Sequence, residues 1–520
     1  MVRATYAVSV DWNADGDFSD TGETIALSRV RRIVTDRGRD RASQAAGFSV
    51  AGRCSIVLDN RSGDYSSFNA SSPLTGLILP GRKVRIQAGS GSFPYTFPIV
   101  FNDNVLWAGF LEHIIPVPSV SGDVVANLEA VGPLSKLAAK KIDAAMQTSY
   151  RSDLAMGKVL DAAGLAAADR SLDTGLTTFN RWWVGDQNAL EAARDIEKSE
   201  LGFLYETADA KIGFKNRHAR LSGAALTSQI TFSDAAGATN PYSGVTQDDP
   251  LPTIFNIAGT DVQLFTVGSL AVLWTHPETG ASSPTITRNG GTRTFTARYP
   301  VKDSLTQDVG VDAWTTPVVT TDFLVNSASD GSGTNISANI VVAVTKTGNS
   351  MEITLTNNHA TLDGFITFAQ ARGTPVSQTD PVTVLFSDAT SKTAFGDRMF
   401  PERPPWIPTS QEADDWARFI VSVGKDPQPM LRMRFSANRN QTMFHAALIR
   451  DVGDRITVTA NNDTKLGLSR DFFIEHIRHT ITPDGGAEHW TEWDLSDAEQ
   501  FSDFFVLGTS RLGETTRLAY

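Results

Sequence analysis

Along the first 130 residues apolar and polar side chains alternate with a period of two. Tyr6, Val8 and Val10 are interleaved with Ala7 and Ser9, and Val84, Ile86 and Ala88 with Lys83, Arg85 and Gln87. Period two between clusters of turn formers predicts half-buried antiparallel strands. The pattern then changes. Residues 134–142 and 153–165 predict two short helices, the second closed by Gly164. A clearer helix is predicted over 187–201, capped by Asp186 or Asn188, with Glu191 three residues beyond Asn188 and Gly202 as a left-handed exit. Ala189, Ala193 and Ile196 mark its buried side. Phe203-Leu-Tyr and Lys211-Ile-Gly-Phe flank Ala208-Asp-Ala210 and predict a hairpin.

From about 245 to 400 the chain becomes rich in Thr, Ser, Val, Gly and Asn. Runs such as 292–298, 340–345 and 351–356 read as strands, with turn chemistry at Asn289-Gly290, Asp330-Gly331 and Asp363-Gly364. Pro404-Pro-Trp-Ile-Pro408 is a stiff connector. Thr409 and Glu412 form a capping box, and Ala413, Trp416, Ala417, Ile420 and Val421 carry helical spacing up to Gly424. Strands return at 455–459 and 472–482. The fold class is mainly β with α+β parts: several barrel- or sandwich-like domains with small helix–hairpin insertions. Four units are expected: a barrel-like 1–132, an α+β helix–hairpin unit at 133–240, a β-rich, sandwich-like 241–400 with insertion as one reading of it, and 401–520, a helix with a second barrel-like domain and tail.

Composition narrows the function classes. Across 520 residues, 41% apolar and 20% charged content is that of a folded globular chain, and three to five domains suit the length. No apolar run is long enough for a membrane-spanning helix, and the first residues lack the pattern of a cleaved leader. A net charge of −12 argues against a nucleic-acid binder, which needs a basic stripe. The single cysteine, Cys54, sits among alternating apolar positions and reads as a buried structural thiol rather than a nucleophile.

The sharpest local motif is Asp11-Trp-Asn13-Ala-Asp15-Gly16-Asp17-Phe-Ser-Asp20-Thr-Gly-Glu23. Calcium takes six to eight oxygens, and side-chain oxygens at positions 1, 3 and 5 around a glycine-assisted turn supply several of them. Asp17 would add a backbone carbonyl, and Asp20 or Glu23 would close the site. Position 12, Glu in helix-flanked calcium loops, is Gly22 here, and the flanks read as strands. An acid-rich turn without metal is the competing reading. Such a Ca2+ would be structural. His476 and His479 are three apart on a strand and face opposite sides, so they make no metal pair. Asp451 with Asp454, and Asp471 with Glu475, read as solvated carboxylates rather than a hydrolytic pair. Trp182-Trp183 and Trp490 with Trp493 read as core or interface anchors. No nucleophile elbow, phosphate loop or dinucleotide fingerprint is present, and no enzyme is expected.

Several stretches nevertheless form a familiar series. Arg53-Cys-Ser-Ile-Val-Leu-Asp-Asn-Arg-Ser-Gly-Asp-Tyr-Ser66, Ser72-Pro-Leu-Thr-Gly76 and Leu79-Pro-Gly-Arg-Lys-Val-Arg-Ile86 resemble the opening barrel of bacteriophage minor tail and baseplate tail-hub proteins. Leu106-Trp-Ala-Gly-Phe-Leu-Glu112 and Glu129-Ala-Val-Gly-Pro-Leu-Ser-Lys-Leu137 are similar to that family's next hairpin and helix. Residues 185–217, Val384–Ser391 with Phe395-Gly396, the 409–424 helix and the closing 505–518 follow in the same order, and the acidic opening is frequent in these proteins. The resemblance implies a virion protein of the tail tip, assembled in the bacterial host cytoplasm. It also implies three copies in a ring that contact the distal tail ring, tail tube, tape-measure and tip-fibre proteins, while phage DNA passes without specific binding. A receptor-binding tail protein is the second reading, with 245–400 as a carbohydrate-binding module using Trp274 or Trp314; a tail-associated hydrolase is the third.

Overall fold

A computed structural model describes residues 4–39, 48–90, 104–119, 122–249, 251–276, 283–300, 307–483, 488–501 and 504. The chain is mainly β with α+β parts, as expected. In the N-terminal part the strands Ala4–Val10, Val30–Arg39, Ser49–Asp59, Lys83–Ser90, Val105–Val117 and Val125–Val131 pair antiparallel. Register follows the apolar pattern: Tyr6, Val8 and Val10 lie opposite Ala88, Ile86 and Val84, and all six are buried. Ala7 and Ser9 are buried as well, so the opening strand is covered on both faces rather than one.

The C-terminal strands Met430–Ser436, Arg455–Ala460, Leu468–Thr482 and Glu488–Asp497 do not form a separate sheet. Leu468–Thr482 pairs antiparallel with Val30–Arg39, from His476 opposite Gly38 to Ile481 opposite Ile33, which merges both halves into one 13-stranded sheet. The strands Thr231–Ser233 and Gly244–Asp248 join it too, on Arg455–Ala460 and Met430–Ser436. One apolar core runs through from Tyr6 and Ile56 to Phe232, Phe435, Ile474 and Trp493. The junction depends on Gly38, which has φ +134°; a Cβ there would lie 2.4 Å from the Glu475 carbonyl oxygen.

Beside this sheet, Lys141–Arg151 pairs with Thr178–Asn188, and the helices Ser152–Ala163 and Ala189–Glu200 pack on them around Val159, Phe179, Trp182 and Ile196. The helix expected over 134–142 stops at Ala138. A strand begins at Lys141 instead, because Ile142, Ala144 and Met146 alternate as its buried positions. Asn188 caps the helix Ala189–Glu200 by accepting from the Leu190 and Glu191 N–H groups, and Gly164 closes the preceding one with φ +82°. The left-handed exit after Glu200 belongs to Leu201 (φ +56°), not Gly202. Gly202 answers another need: a Cβ there would meet the Lys215 carbonyl at 2.2 Å, across the hairpin of Phe203–Glu206 and Ile212–Lys215.

The β-rich segment has its own core. Among the described residues five strands pair with Gly364–Gln378 to make a six-stranded sheet, and three more, Gly291–Arg298, Ser350–Asn357 and Ile340–Lys346, form a second sheet. Ile286, Phe295, Trp314, Ile353 and Ile366 fill the space between. The chain enters by Ile257–Val262 and leaves by Val382–Ser387, which pair with each other, Val262 opposite Val382. The helix Ser410–Gly424, capped by Thr409, packs Ala413, Trp416 and Ile420 onto that stem with Ala258 and Val262. Asn289 and Gly290 both take positive φ, but the turn is not a hairpin: Thr285–Ile286 before it pairs with Gly364–Gln378, and Gly291–Arg298 after it pairs with Ser350–Asn357. Asp363-Gly364 is not a turn of this kind: Gly364 opens a strand and lies close to Val325.

Candidate functional site

The acidic loop links the opening strand to the short strand Thr24–Ile25, and its ends are tied by Val10 N–H donating to the Glu23 carbonyl and Asp11 N–H to the Lys83 carbonyl. Asp11 is buried and organises the turn: one carboxylate oxygen accepts from Ala14 N–H at 2.6 Å, the other from Gly16 N–H at 3.1 Å. Ala14 and Gly16 take positive φ, which curls the backbone around that carboxylate. Asn13 Nδ2 donates to Asp15 (2.9 Å) and to Asp20 (2.6 Å), and Asn13 Oδ1 accepts from Asp15 N–H. The Asp17 carboxylate accepts from Ser19 N–H and stabilises its own turn.

Of the five carboxylates singled out from the sequence, the fold gathers three. Ligand oxygens of Asp11, Asp15 and Glu23 lie within 4.8 Å of one another; Asp17 and Asp20 are outside that group. Glu23, one place beyond the usual closing position, turns inward. One of its oxygens accepts from Asp20 N–H, while the other is buried and has no hydrogen-bond partner. Burial pushes the Glu23 carboxyl above the ordinary glutamate range; the Asp20 N–H opposes this, and the charges of Asp15, Asp20 and Asp11 add to it. Asp15, at the exposed side, is held below the usual carboxylate range by the Asp17 N–H and Asn13.

The other candidates resolve into structure. Asp451 pairs with Arg37, Asp454 with Arg450 and Asp471 with Arg455, while Glu475 is enclosed by Arg39, Arg220 and Ser496. Cys54 is fully buried, which raises its thiol pKa well above normal. Trp182 and Trp493 are core residues; Trp183 packs edge-on to Phe265 and Trp406, and Arg434 lies over Trp490. Trp314 is buried, with its indole N–H donating to the Thr347 carbonyl, and Trp274 packs against His276 and Phe295. Trp314 is therefore a core residue and not a groove aromatic.

A buried polar chain was missed from the sequence: the Tyr6 hydroxyl bonds His489 Nδ1 (3.1 Å), and His489 Nε2 bonds His479 Nδ1 (3.0 Å), with Thr491 alongside. Alternation along Glu488–Asp497 places His489, Thr491 and Trp493 on one inward face, which was the available signal. The Asn60 turn of the opening motif is also structural: Asn60 accepts from Tyr65 N–H and donates to Ser66, and Arg29 grips Asp64.

The geometry defines a mainly β chain whose ends share one sheet around an acidic loop and a stalked β module. No family profile and no curated protein matches it. Among solved structures it is similar to phage tail proteins. The 43 kDa tail protein of prophage MuSo2 from Shewanella oneidensis has 10% identity, with 96% of this chain and 99% of that one covered and a TM-score of 0.48. A tail protein from Neisseria meningitidis MC58 has 9% identity, 95% and 96% coverage and a TM-score of 0.49. Prophage tail protein gp18 from Listeria monocytogenes EGD-e has 8% identity, 94% coverage of each chain and a TM-score of 0.40.

Proposed function

We propose that this chain is a structural, non-enzymatic component of a bacteriophage tail tip, a baseplate or tail-hub protein that closes the distal end of the tail tube. The observation that carries the reading joins sequence and fold. The hub-like stretches 53–66, 72–86 and 106–112 lie in or between strands of the N-terminal half, and that half is continuous with C-terminal strands some 400 residues away through Val30–Arg39 and Leu468–Thr482. A sheet built from both ends of the chain gives each subunit a stiff wall.

Among the described residues the main run of that wall ends in two unlike strands, Gly244–Asp248 and Thr24–Ile25, while Thr231–Ser233 ends a side branch through Arg455–Ala460. Unlike surfaces meeting head to tail close into a ring when the rotation permits, and three copies are the number the hub resemblance implies. A net charge of −12 suits a wall past which DNA slides without sticking. The distal tail ring, tail tube, tape-measure and tip fibres are the partners of that position.

The receptor-binding reading has one observation in its favour: residues 263–381 form a module with its own core on a two-stranded stem. Gene deletion tests the two readings together. Particles lacking the chain are expected to have no completed tails, and complementation by a chain without the module is expected to restore tail assembly. Complete tails in the deletion strain would contradict the hub. Restored tails that no longer adsorb to the host would give the module the receptor role in addition.

A further inference from the structure

We propose that Asp11, Asp15 and Glu23 form a calcium site that locks the acidic loop onto the opening strand. The chemistry is that of a hard cation held by oxygens. Calcium lies about 2.3–2.6 Å from each ligand, so two oxygens bound to one ion stand no more than about 5 Å apart. The Asp11, Asp15 and Glu23 oxygens meet that limit, lying within 4.8 Å of one another.

An acidic turn alone would not require an ion, since Asp and Asn stabilise turns by capping N–H groups. Asp11, Asn13, Asp15 and Asp17 all do so here. The buried Glu23 oxygen is different. Glu23 is 2% exposed, and its second oxygen meets no donor. Leaving a carboxylate oxygen buried and unpaired among other carboxylates is costly. Among the described residues, Asp11, Asp15, Asp17, Asp20 and Glu23 make no ion pair, and the nearby Lys83 ammonium donates only to the Gly16 carbonyl, at 3.5 Å. A divalent cation would supply both the missing partner and the missing charge.

The loop is also built as calcium loops are. Asp11, Asn13 and Asp15 occupy alternate positions, and Gly16, with φ +101°, makes the sharp turn at the sixth. Gly22 stands where the closing glutamate is usual, and Glu23 takes over that place one residue later. Three carboxylates favour calcium over magnesium, which keeps more of its water and demands a stricter octahedron. The proposal is independent of the tail-tip reading.

The test uses the full-length chain, stripped with a chelator and titrated with calcium chloride in a calorimeter, with magnesium chloride as comparison. One calcium per chain is expected, with Kd below about 1 mM, at least tenfold weaker magnesium binding and a higher melting temperature when calcium is added. Asp15→Asn, at an exposed position, is expected to weaken calcium binding at least tenfold without lowering the melting temperature of the chelated protein. Glu23→Gln is expected to abolish the calcium-dependent rise, while the chelated variant melts no lower than the chelated wild type. No binding at millimolar calcium, or an Asp15→Asn variant that binds as tightly as wild type, would overturn the site.

Discussion

The Tyr6–His489–His479 chain shows how a residue's chemistry is set by where the sheet puts it. Both imidazoles are buried, and among the described residues no carboxylate bonds either ring. Burial pushes His489 down to about 3; burial, followed by the charges of His489 and Arg37, holds His479 well below its usual value. A base whose folded pKa is depressed contributes stability that is present above its unfolded pKa near 6.5 and lost as the pH falls towards the folded value. For His489 alone the loss is about 2 kcal/mol by pH 5. Histidine ring resonances followed by NMR are expected to show both rings neutral from pH 8 down to pH 5.5. A transition of either ring near 6.5 would contradict the buried chain. Gly38 offers a second test at this scale. Gly38→Ala places a Cβ against the Glu475 carbonyl in a left-handed conformation, and it is expected to cost on the order of 3 kcal/mol in urea unfolding. A change within 0.5 kcal/mol or so would show that the junction can shift. The acidic loop was legible from sequence because its oxygens and glycine are neighbours along the chain. The Tyr6–His489–His479 chain was not, because strand register across ten residues joins the two rings and a core contact across 483 residues brings Tyr6 to them.

Among the elements, those with local signals were read best. Asn188 and Thr409 cap the helices they were expected to cap, and the hairpin at 203–215 forms as drawn. The helix expected over 134–142 ran past its true end at Ala138 because Lys140-Lys-Ile142 favours helix intrinsically, and pairing of Lys141–Arg151 with Thr178–Asn188 overrides that preference. The helix Gln441–Ile449 was not read at all; its apolar residues run around most of its circumference and leave little periodicity. The stalked module makes the clearest prediction here. Because Val262 and Val382 are paired, replacing 263–381 with Asn-Gly should close the stem as a two-residue hairpin. The shortened chain is expected to stay soluble and to keep a cooperative melt from the large sheet. The module touches the body along Lys141–Arg151 and Thr178–Asn188, through Arg181 with Asp312, Trp183 with Phe265 and Gly348, and Gly185 with Asn349, and these contacts are lost with it. Loss of the cooperative transition would show that the module is part of the main folding unit.

For the whole molecule, alternation along the chain foretold strands but not which strands meet. Two barrel-like units were expected at the ends of the sequence, and the structure joins their strands into one sheet through Val30–Arg39 and Leu468–Thr482. Periodicity cannot show such a pairing, since either strand would satisfy its pattern equally well against another partner. The tail-tip account turns this joined sheet into one segment of a ring wall. In solution, light scattering is expected to give three times the 56.1 kDa chain mass, with mass independent of dilution in the micromolar range. A fixed dimer would contradict the threefold ring. The most direct measurement is made on the particle itself: gold-labelled antibody against this chain, imaged by electron microscopy on intact phage. The account predicts label confined to the far end of the tail. Label on the capsid or along the tail shaft, or tails that carry none of the chain, would contradict it.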